Sequence, residues 1–275
     1  MSFYTSLNGL KNAQTDLGVI SHNIANAETT GFKKSRTEFA DIVAGSAFTN
    51  PKLIQGIGAT VQSISQNFTY GPIEQTGSAL DVAINGDGFF ATRSPQTGQA
   101  QFTRNGSFTI DQGGYITDRE GNRLQIVAAS NGVMPATSPL PAPTDAQVPA
   151  FNQATPPAAF AGLTVGNDGA IVASFADGSN QLIGKVAVAS FMSTDGLKQV
   201  GSSNWEATGL SGAPQFGMPG EDQYGALLSG ALERSNVDIA EEMVGLITAQ
   251  RNFQANAKAI DTATQISQTV INLRT

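Results

Sequence analysis

Residues 86–91 match the pattern G-x-G-x-x-A, which binds dinucleotides where a strand turns into a helix. In such sites the phosphates lie at the amino end of that helix. Here Phe89 and Phe90 are typical of a strand instead, and Pro95 follows shortly after them. The pattern therefore predicts a β-hairpin, and we expect no nucleotide to bind there.

Few residues could support acid–base catalysis or hold a transition metal. His22 is the single histidine of the chain, and there is no cysteine. A Ser-His-Asp triad would need a histidine that lies in a helical repeat, and thiolate or metal chemistry lacks its usual ligands. Glu241 and Glu242 are adjacent carboxylates, but they fall in the first turn of a predicted helix, where the helix dipole favours them. We predict that the chain is not an enzyme and needs no metal or cofactor.

The overall charge argues against two classes of partner. With 15 basic and 22 acidic residues the net charge is −7, and no run of basic residues occurs. Nucleic acids and anionic membrane surfaces need clustered cations, so neither is expected as a partner. No apolar run reaches the roughly 18 residues of a membrane-spanning helix, so no membrane insertion is expected. The first residues lack the basic and apolar regions of a signal peptide, which predicts export without a cleaved one if the chain is exported.

The elements that would position functional residues begin with an amino-terminal helix. Between residues 2 and 27, apolar residues recur at alternating four- and three-residue spacing, the pattern of an amphipathic helix. Gly31, with two threonines before it, signals the end of the helix. The apolar face of this helix is a candidate surface for self-assembly and comprises Phe3, Leu7, Leu10, Leu17, Ile20 and Ile24.

A second amphipathic helix is predicted at the carboxyl end, over residues 237–273. Ser235 is its predicted cap, with Asp238 three residues later. The apolar face shifts around the helix toward the end, which favours contacts with several neighbours over a simple two-stranded coiled coil. The candidate self-assembly residues on this helix are Ile239, Met243, Leu246, Ile247, Phe253, Ile260, Ile266, Val270 and Leu273.

Between the helices, alternating apolar residues separated by Gly, Asn and Asp turns predict antiparallel strands. We therefore predict an α+β fold, in which long terminal helices form a coiled-coil-like inner domain and the central domain is mainly antiparallel β. The predicted organisation is a terminal helical core domain of residues 1–30 and 235–275, an irregular connector of 31–70, a β-rich outer domain of 71–127 and 161–234, and a Pro- and Ala-rich linker of 128–160.

Periodicity alone leaves open what the two apolar helix faces touch. Long terminal helices can pack onto a β domain of the same chain, as in many α+β folds, or onto helices of other copies. The first arrangement would give a monomer. The second would give an assembly that can propagate without closing.

Several stretches of the sequence resemble the axial proteins of the bacterial flagellum, the family of rod, hook and hook-associated subunits. They are residues 17–33, 229–238 and 249–256, and residues 77–90 and 104–108 extend the resemblance over nearly the whole chain. The most specific positions, which we call the family signature, are Asn23, Asn26, Gly31 and Phe32.

Among these proteins the chain resembles the hook subunits most, through residues 189–191 and 195–197, Trp205 and residues 270–274. The resemblance implies a structural subunit of the flagellar hook, which polymerises helically into a tubular universal joint that transmits motor torque to the filament. It also implies an extracellular place in the flagellum, in the hook or basal body. Hook proteins usually carry a further outer β domain where this chain has only residues 128–160, so the distal rod protein of the same family is an alternative.

Copies of the chain itself, in a helical assembly, are the main partners that the resemblance implies. Distal rod and hook–filament junction proteins would join its ends, and the hook cap and the flagellar export apparatus would bind transiently. A secreted binding or adhesin module is the alternative from another class, since its helices would pack internally and it would stay monomeric. A glycan hydrolase that uses scattered carboxylates is a more distant alternative.

Overall fold

Helices lie near the two ends of the computed structural model, which describes residues 2–44, 55–129, 134, 141–152, 158–221 and 223–272. They are α1, Ser2–Ala25, and α2, Ile239–Asn272. The strands are β1 Ser35–Ala44, β2 Gln55–Gln66, β3 Ile73–Gln75, β4 Val82–Asn85, β5 Phe89–Arg93, β6 Ala100–Thr103, β7 Thr109–Ile110, β8 Ile116–Thr117, β9 Arg123–Ala128, β10 Thr144–Asp145, β11 Phe160–Val165, β12 Ala170–Phe175, β13 Asn180–Val186, β14 Val188–Ser190, β15 Lys198–Gly201, β16 Asn204–Glu206, β17 Gln215–Gly217, β18 Ala226–Ser229 and β19 Ala231–Glu233. The predicted α+β class is confirmed. No helix in the described ranges has the length and apolar character needed to cross a membrane.

The chain divides into two units, each built from separate stretches of sequence. The helical unit contains residues 1–27, 33–68 and 237–275. The β unit contains residues 28–32 and 69–236. The β unit therefore takes the middle of the chain together with a short segment from its amino-terminal part.

In the helical unit, α1 and α2 run antiparallel. A Cβ atom on Gly9 would lie 2.5 Å from Oδ1 of Asn256, and one on Gly245 would lie 3.5 Å from Cδ1 of Ile20. The same register places Asn23 beside Glu242. Continued to the amino end, it pairs Ser2 with about residue 263, so the last two turns of α2 extend beyond α1. Whether the two helices adopt coiled-coil geometry stays a prediction.

Two strands occupy the segment that was predicted to be an irregular connector, and in this respect the prediction was wrong. β1 and β2 form an antiparallel hairpin with irregular register after Glu38 and after Ile42. These irregularities interrupt the two-residue alternation that marks a strand in a sequence, which explains why the pattern was missed. The hairpin packs on α1, where the Thr5 hydroxyl donates to the carbonyl of Ile57 at 3.0 Å and the Asn12 amide to that of Ala59 at 2.8 Å.

The β unit is built on one large antiparallel sheet whose central strand order is β11-β12-β13-β9-β5-β6-β16-β15. Its core contains buried apolar side chains, among them Phe90, Ile126, Ile171 and Val186 on these strands and Ile84 and Phe108 from neighbouring segments. Trp205 on β16 is fully buried beside Phe89, with ring centroids 5.8 Å apart. The predicted mainly antiparallel central domain is thus present.

Part of the predicted 128–160 linker belongs to the β unit. Strand β10 pairs with β9, and Ala146 and Val148 just after it are buried in the core. Phe151 also forms a bridge with Ala159. The Pro and Ala content hid these short pairings because each involves few residues. Residues 130–133, 135–140 and 153–157 lie outside the described residues.

Residues 86–91 join two strands, as the absence of a helix signal predicted, but they do not form a hairpin. Strand β4 pairs with β18, whereas β5 pairs with β6, β9 and β14. The turn itself requires glycine, since Gly86 and Gly88 both have a φ of 125°. The hairpin prediction was wrong because local sequence does not specify which distant strand completes a pair.

Candidate self-assembly surface

One part of the predicted apolar surface is partly buried where α1 and α2 pack together in the helical unit. On α1, Leu7, Leu10, Leu17, Ile20 and Ile24 are partly buried. On α2 the stripe that is least exposed contains Glu242, Leu246, Ala249, Phe253 and Ile260. The three- and four-residue steps along this stripe are those of a helix face that packs on another helix. Leu246, Phe253 and Ile260 therefore contribute to packing within the subunit.

The other predicted residues are exposed. On α1 this applies to Phe3, and on α2 to Ile239, Met243, Ile247, Ile266 and Val270. Ile266 and Val270 keep 60% and 59% of their surface accessible. Tyr4, Val244 and Ile271 are exposed as well, and the sequence prediction did not include them. Leu273 lies outside the described residues.

Asn23 of the family signature is buried and connects three elements of the helical unit. Its amide Nδ2 donates to the carbonyl of Ser35 at 2.8 Å and to Oε2 of Glu242 at 3.1 Å. Its Oδ1 accepts the backbone N–H of Ser35 at 2.9 Å. Only an amide can donate and accept in this way, so the residue type is explained by its position between α1, β1 and α2.

The start of α2 differs in one detail from the prediction. Asp238, rather than Ser235, caps the helix, because its Oδ1 accepts the backbone N–H groups of Ala240 at 2.8 Å and Glu241 at 3.2 Å. Glu241 is exposed and pairs with Lys34 at 3.1 Å, whereas Glu242 is buried against Asn23. The sequence prediction explained both carboxylates by the helix dipole and missed this difference.

The remaining residues of the family signature are buried or partly buried within the subunit. Asn26 is partly buried and donates from Nδ2 to the carbonyl of His22 at 2.9 Å. Gly31 and Phe32 are buried in the β unit, where the N–H of Gly31 donates to the carbonyl of Glu233 at 2.8 Å. His22 is exposed on α1.

A buried ion pair lies in the β unit. Arg104 Nη1 contacts Glu233 Oε2 at 3.3 Å, and both side chains are almost fully buried. Burial lowers the pKa of the Arg104 guanidinium, and the charge of Glu233 opposes this effect. Within the described residues, no group of three or more acidic, histidine or cysteine side chains has the geometry to hold a metal ion.

Comparison with protein families gives three matches along the chain. Residues 3–33 match the model described as flagella basal body rod protein, and residues 83–173 match the flagellar hook protein FlgE/F/G D1 domain. Residues 228–273 match the flagellar basal body rod FlgEFG protein C-terminal region.

Individual relatives agree with these matches. The flagellar basal-body rod protein FlgG of Bacillus subtilis is 37% identical over 286 residues, covering 99% of this chain and 98% of the relative. FlgG of Borreliella burgdorferi is 32% identical, with 99% and 98% covered. The flagellar hook protein FlgE of Salmonella typhimurium is 27% identical over 411 residues, with 100% of both chains covered. These names describe structural parts of the flagellum rather than enzymes, and the chain belongs to the family of flagellar basal-body rod and hook proteins.

Proposed function

We propose that the chain is a structural subunit that polymerises helically through its terminal helices into the axial tube of the flagellum. The observation that carries this proposal is the apolar surface that remains on α2 after it has paired with α1. Ile266, Val270 and Ile271 are exposed near one end of α2, and Ile239, Met243 and Val244 near the other. Burying such a side chain fully is worth about 1.5–3 kcal/mol, so several together favour association.

The two groups of exposed apolar residues lie at opposite ends of α2 and consist of different residues. A contact between unlike surfaces favours an open polymer. A contact between the carboxyl end of one α2 and the opposite end of the helical unit in the next copy would be heterologous. A heterologous contact whose rotation does not close a ring repeats along a helix. The described part of α2 beyond about residue 263 is the segment that could reach a neighbouring copy. We propose a coiled-coil-like inner layer of such helices as the result.

Copies of the chain are therefore its main proposed partners. We further propose that distal rod and hook–filament junction proteins adjoin the ends of the assembly, with the hook cap and export apparatus as transient partners. Its proposed location is the hook or basal body of the flagellum, reached by export without a cleaved signal peptide. Membership of the family of flagellar rod and hook proteins supports this proposal.

Different observations support a place for the chain in the hook and in the distal rod of the flagellum. The hook interpretation rests on residues 189–191 and 195–197, Trp205 and residues 270–274. The rod interpretation is supported by the 37% identity to a rod protein of matching length. The alignment with the hook protein spans 411 positions against the 275 residues of this chain, so that relative carries a large amount of sequence without a counterpart here. Identity and length thus favour the distal rod, and the local motifs favour the hook.

Substitutions in the exposed part of α2 test polymerisation directly. We expect Ile266→Asp and Val270→Asp to prevent filament formation by purified protein, measured by light scattering and negative-stain electron microscopy, because each places a charge in the apolar contact. Gln265→Asp adds the same charge on another side of the helix and is the matched control. Ile266→Leu should assemble normally.

These positions are better suited than Leu17 or Phe253, whose partial burial within the subunit would confuse assembly with folding. Trp205 fluorescence should show an intact β unit in every variant. Filaments of normal length and yield from both aspartate variants would contradict the proposal. A wild-type chain that stays monomeric at every concentration would instead support the binding-module alternative.

Labelling the protein in isolated flagellar bases separates the hook from the rod. Gold-labelled antibody against a tag inserted in the 135–140 segment should mark either the curved segment outside the cell or the straight shaft within the envelope. The first result assigns the chain to the hook and the second to the rod. Label on neither structure would contradict an axial role.

A further inference from the structure

We propose that residues Glu28–Phe32, here called the strap, close the β unit within each subunit, so that Gly31 and Phe32 of the family signature serve the folding of the single chain. The strap follows α1 closely in the sequence, yet it belongs to the β unit. This role concerns the folding of each subunit. It is independent of the polymerisation through α1 and α2 proposed above.

The strap contacts two separate parts of the β unit, residues 233–234 and Ser203. Gly31 donates its N–H to the carbonyl of Glu233 at 2.8 Å, and Glu28 forms an ion pair with Arg234. The hydroxyl of Ser203 donates to the carbonyl of Thr30 at 3.2 Å. A sequence separation of about two hundred residues between strap and β19 makes these contacts invisible to local patterns.

Gly31 is the position of the strap where no other residue type fits. Its φ is 68°, in the region that favours glycine. A Cβ atom there would lie 2.6 Å from the backbone nitrogen of Asn105 and 2.8 Å from the carbonyl carbon of Arg104. Both conformation and space therefore exclude a side chain, and backbone atoms cannot move aside as the end of a flexible side chain can.

Glu233 makes the strap part of a larger cluster. Its carboxylate accepts the N–H of Gly71 at 2.9 Å through Oε1 and pairs with Arg104 through Oε2. Arg104 in turn donates to the carbonyls of Ile84 at 3.4 Å and Gly86 at 2.9 Å. The buried carboxylate of Glu233 thus connects β19 with Gly71 directly and, through Arg104, with the turn after β4. The backbone carbonyl of the same residue accepts the hydrogen bond from the strap.

The contacts between the strap and residues 233–234 join two stretches that resemble the flagellar family. The sequence alone gives no reason why both stretches carry this resemblance. Residues 17–33 and residues 229–238 lie at opposite ends of the chain, and in the β unit they share the Gly31–Glu233 and Glu28–Arg234 contacts. We infer that these contact residues are required because they close the β unit within each subunit. Substitutions there should act on a monomer that has no neighbour.

Paired glycine variants test this inference in samples that size-exclusion chromatography shows to be monomeric, whether or not the chain polymerises under other conditions. Gly31→Ala should lower the Tm of the β unit, followed by Trp205 fluorescence, and reduce hydrogen-exchange protection of residues 28–32 by about tenfold or more. Gly77→Ala is the matched control, because Gly77 also has a positive φ, of 75°, but nothing lies within 4 Å of its Cβ position. A larger loss of Tm in Gly31→Ala than in Gly77→Ala is expected.

Crosslinking gives a second readout that does not depend on stability. The chain has no cysteine, so Thr29→Cys with Ser202→Cys, two residues that line one polar cavity of about 370 Å³, gives a clean pair. A short bis-maleimide should link them within one chain when light and heavy isotope-labelled copies are mixed. Links only between chains, or none, would overturn the proposal, as would equal Tm values for the two glycine variants.

Discussion

At the scale of single residues, Asn23 links α1, β1 and α2 of the helical unit through its side chain. This side chain makes three hydrogen bonds to Ser35 and Glu242 in a buried position. A buried carboxylate that loses its donor is costly, because nothing replaces the water it gave up on folding. Asn23 should therefore matter more than its neighbours for the stability of the unit.

Asn23→Ala is expected to lower the free energy of unfolding of the helical unit by about 2–4 kcal/mol, since it leaves Ser35 and Glu242 without their partner. Asn12→Ala, which removes one partly buried bond to Ala59, should cost about 0.5–1.5 kcal/mol. Urea unfolding followed by helical circular dichroism measures both. Equal losses would show that the Asn23 contacts are not special.

Acid should weaken the β unit through Asp145. Burial raises the pKa of this carboxyl, but hydrogen bonds from Gln125 and Arg123 and the charge of Arg93 outweigh it, and the net result is a pKa below its ordinary value of 3.8. The stabilisation is therefore complete above that value and is lost as the pH falls through the lower folded-state pKa.

Asp145→Asn should reduce the dependence of β-unit stability on pH below about pH 4, as well as the stability at neutral pH. Urea midpoints from Trp205 fluorescence at several pH values measure this. Some acid dependence should remain, because the pKa values of Asp168 and Asp177 are lowered too. An unchanged slope would show that Asp145 does not contribute.

At the scale of elements, α2 is not uniformly supported along its length. Residues 242–263 alternate between exposed and less exposed positions opposite α1, whereas residues 264–272 are exposed throughout. A helix segment without tertiary contacts depends on intrinsic propensity alone and frays readily. The apolar residues that we assign to assembly lie in this part.

Limited proteolysis of the monomer should therefore begin after about residue 263 and leave the rest of α2 protected. Mass spectrometry of early fragments identifies the cut sites, and assembled filaments serve as the comparison. We expect the same sites to become protected on assembly. Cleavage that starts within residues 242–260 would contradict the antiparallel pairing of α1 with α2.

At the scale of the whole molecule, every copy carries the same net charge of −7. Like-charged copies repel each other over distances that salt shortens, and the contacts that we propose between copies are mainly apolar. Electrostatics should therefore oppose assembly, while apolar burial drives it.

Raising the ionic strength from about 10 mM to 150 mM should speed polymerisation and lower the critical concentration, because the Debye length falls from about 30 Å to 8 Å. Light scattering at fixed protein concentration measures the rate. The control is an uncharged osmolyte at equal osmolarity. Slower assembly in salt would indicate that ion pairs between copies dominate the contact.

Local pattern determined the type of most elements. Both helices, the turns around Gly88 and Gly169 and the antiparallel character of the centre are visible in the sequence because periodicity and turn chemistry act between near neighbours. The same information identified a broad apolar surface on α1 and α2. The family signature at Asn23 and Gly31 came from the resemblance to flagellar axial proteins, which gave no physical reason for it.

Only the tertiary structure decided how those parts are used. Whether Leu246 or Ile266 remains available for another copy depends on where α1 ends beside α2, which no periodicity contains. Asn23 and Glu242 are 219 residues apart, and Arg104 and Glu233 are 129 apart. Contacts at such separations, like the pairing of β4 with β18, are selected by the packing of the whole chain, since short segments satisfy many alternative partners equally well.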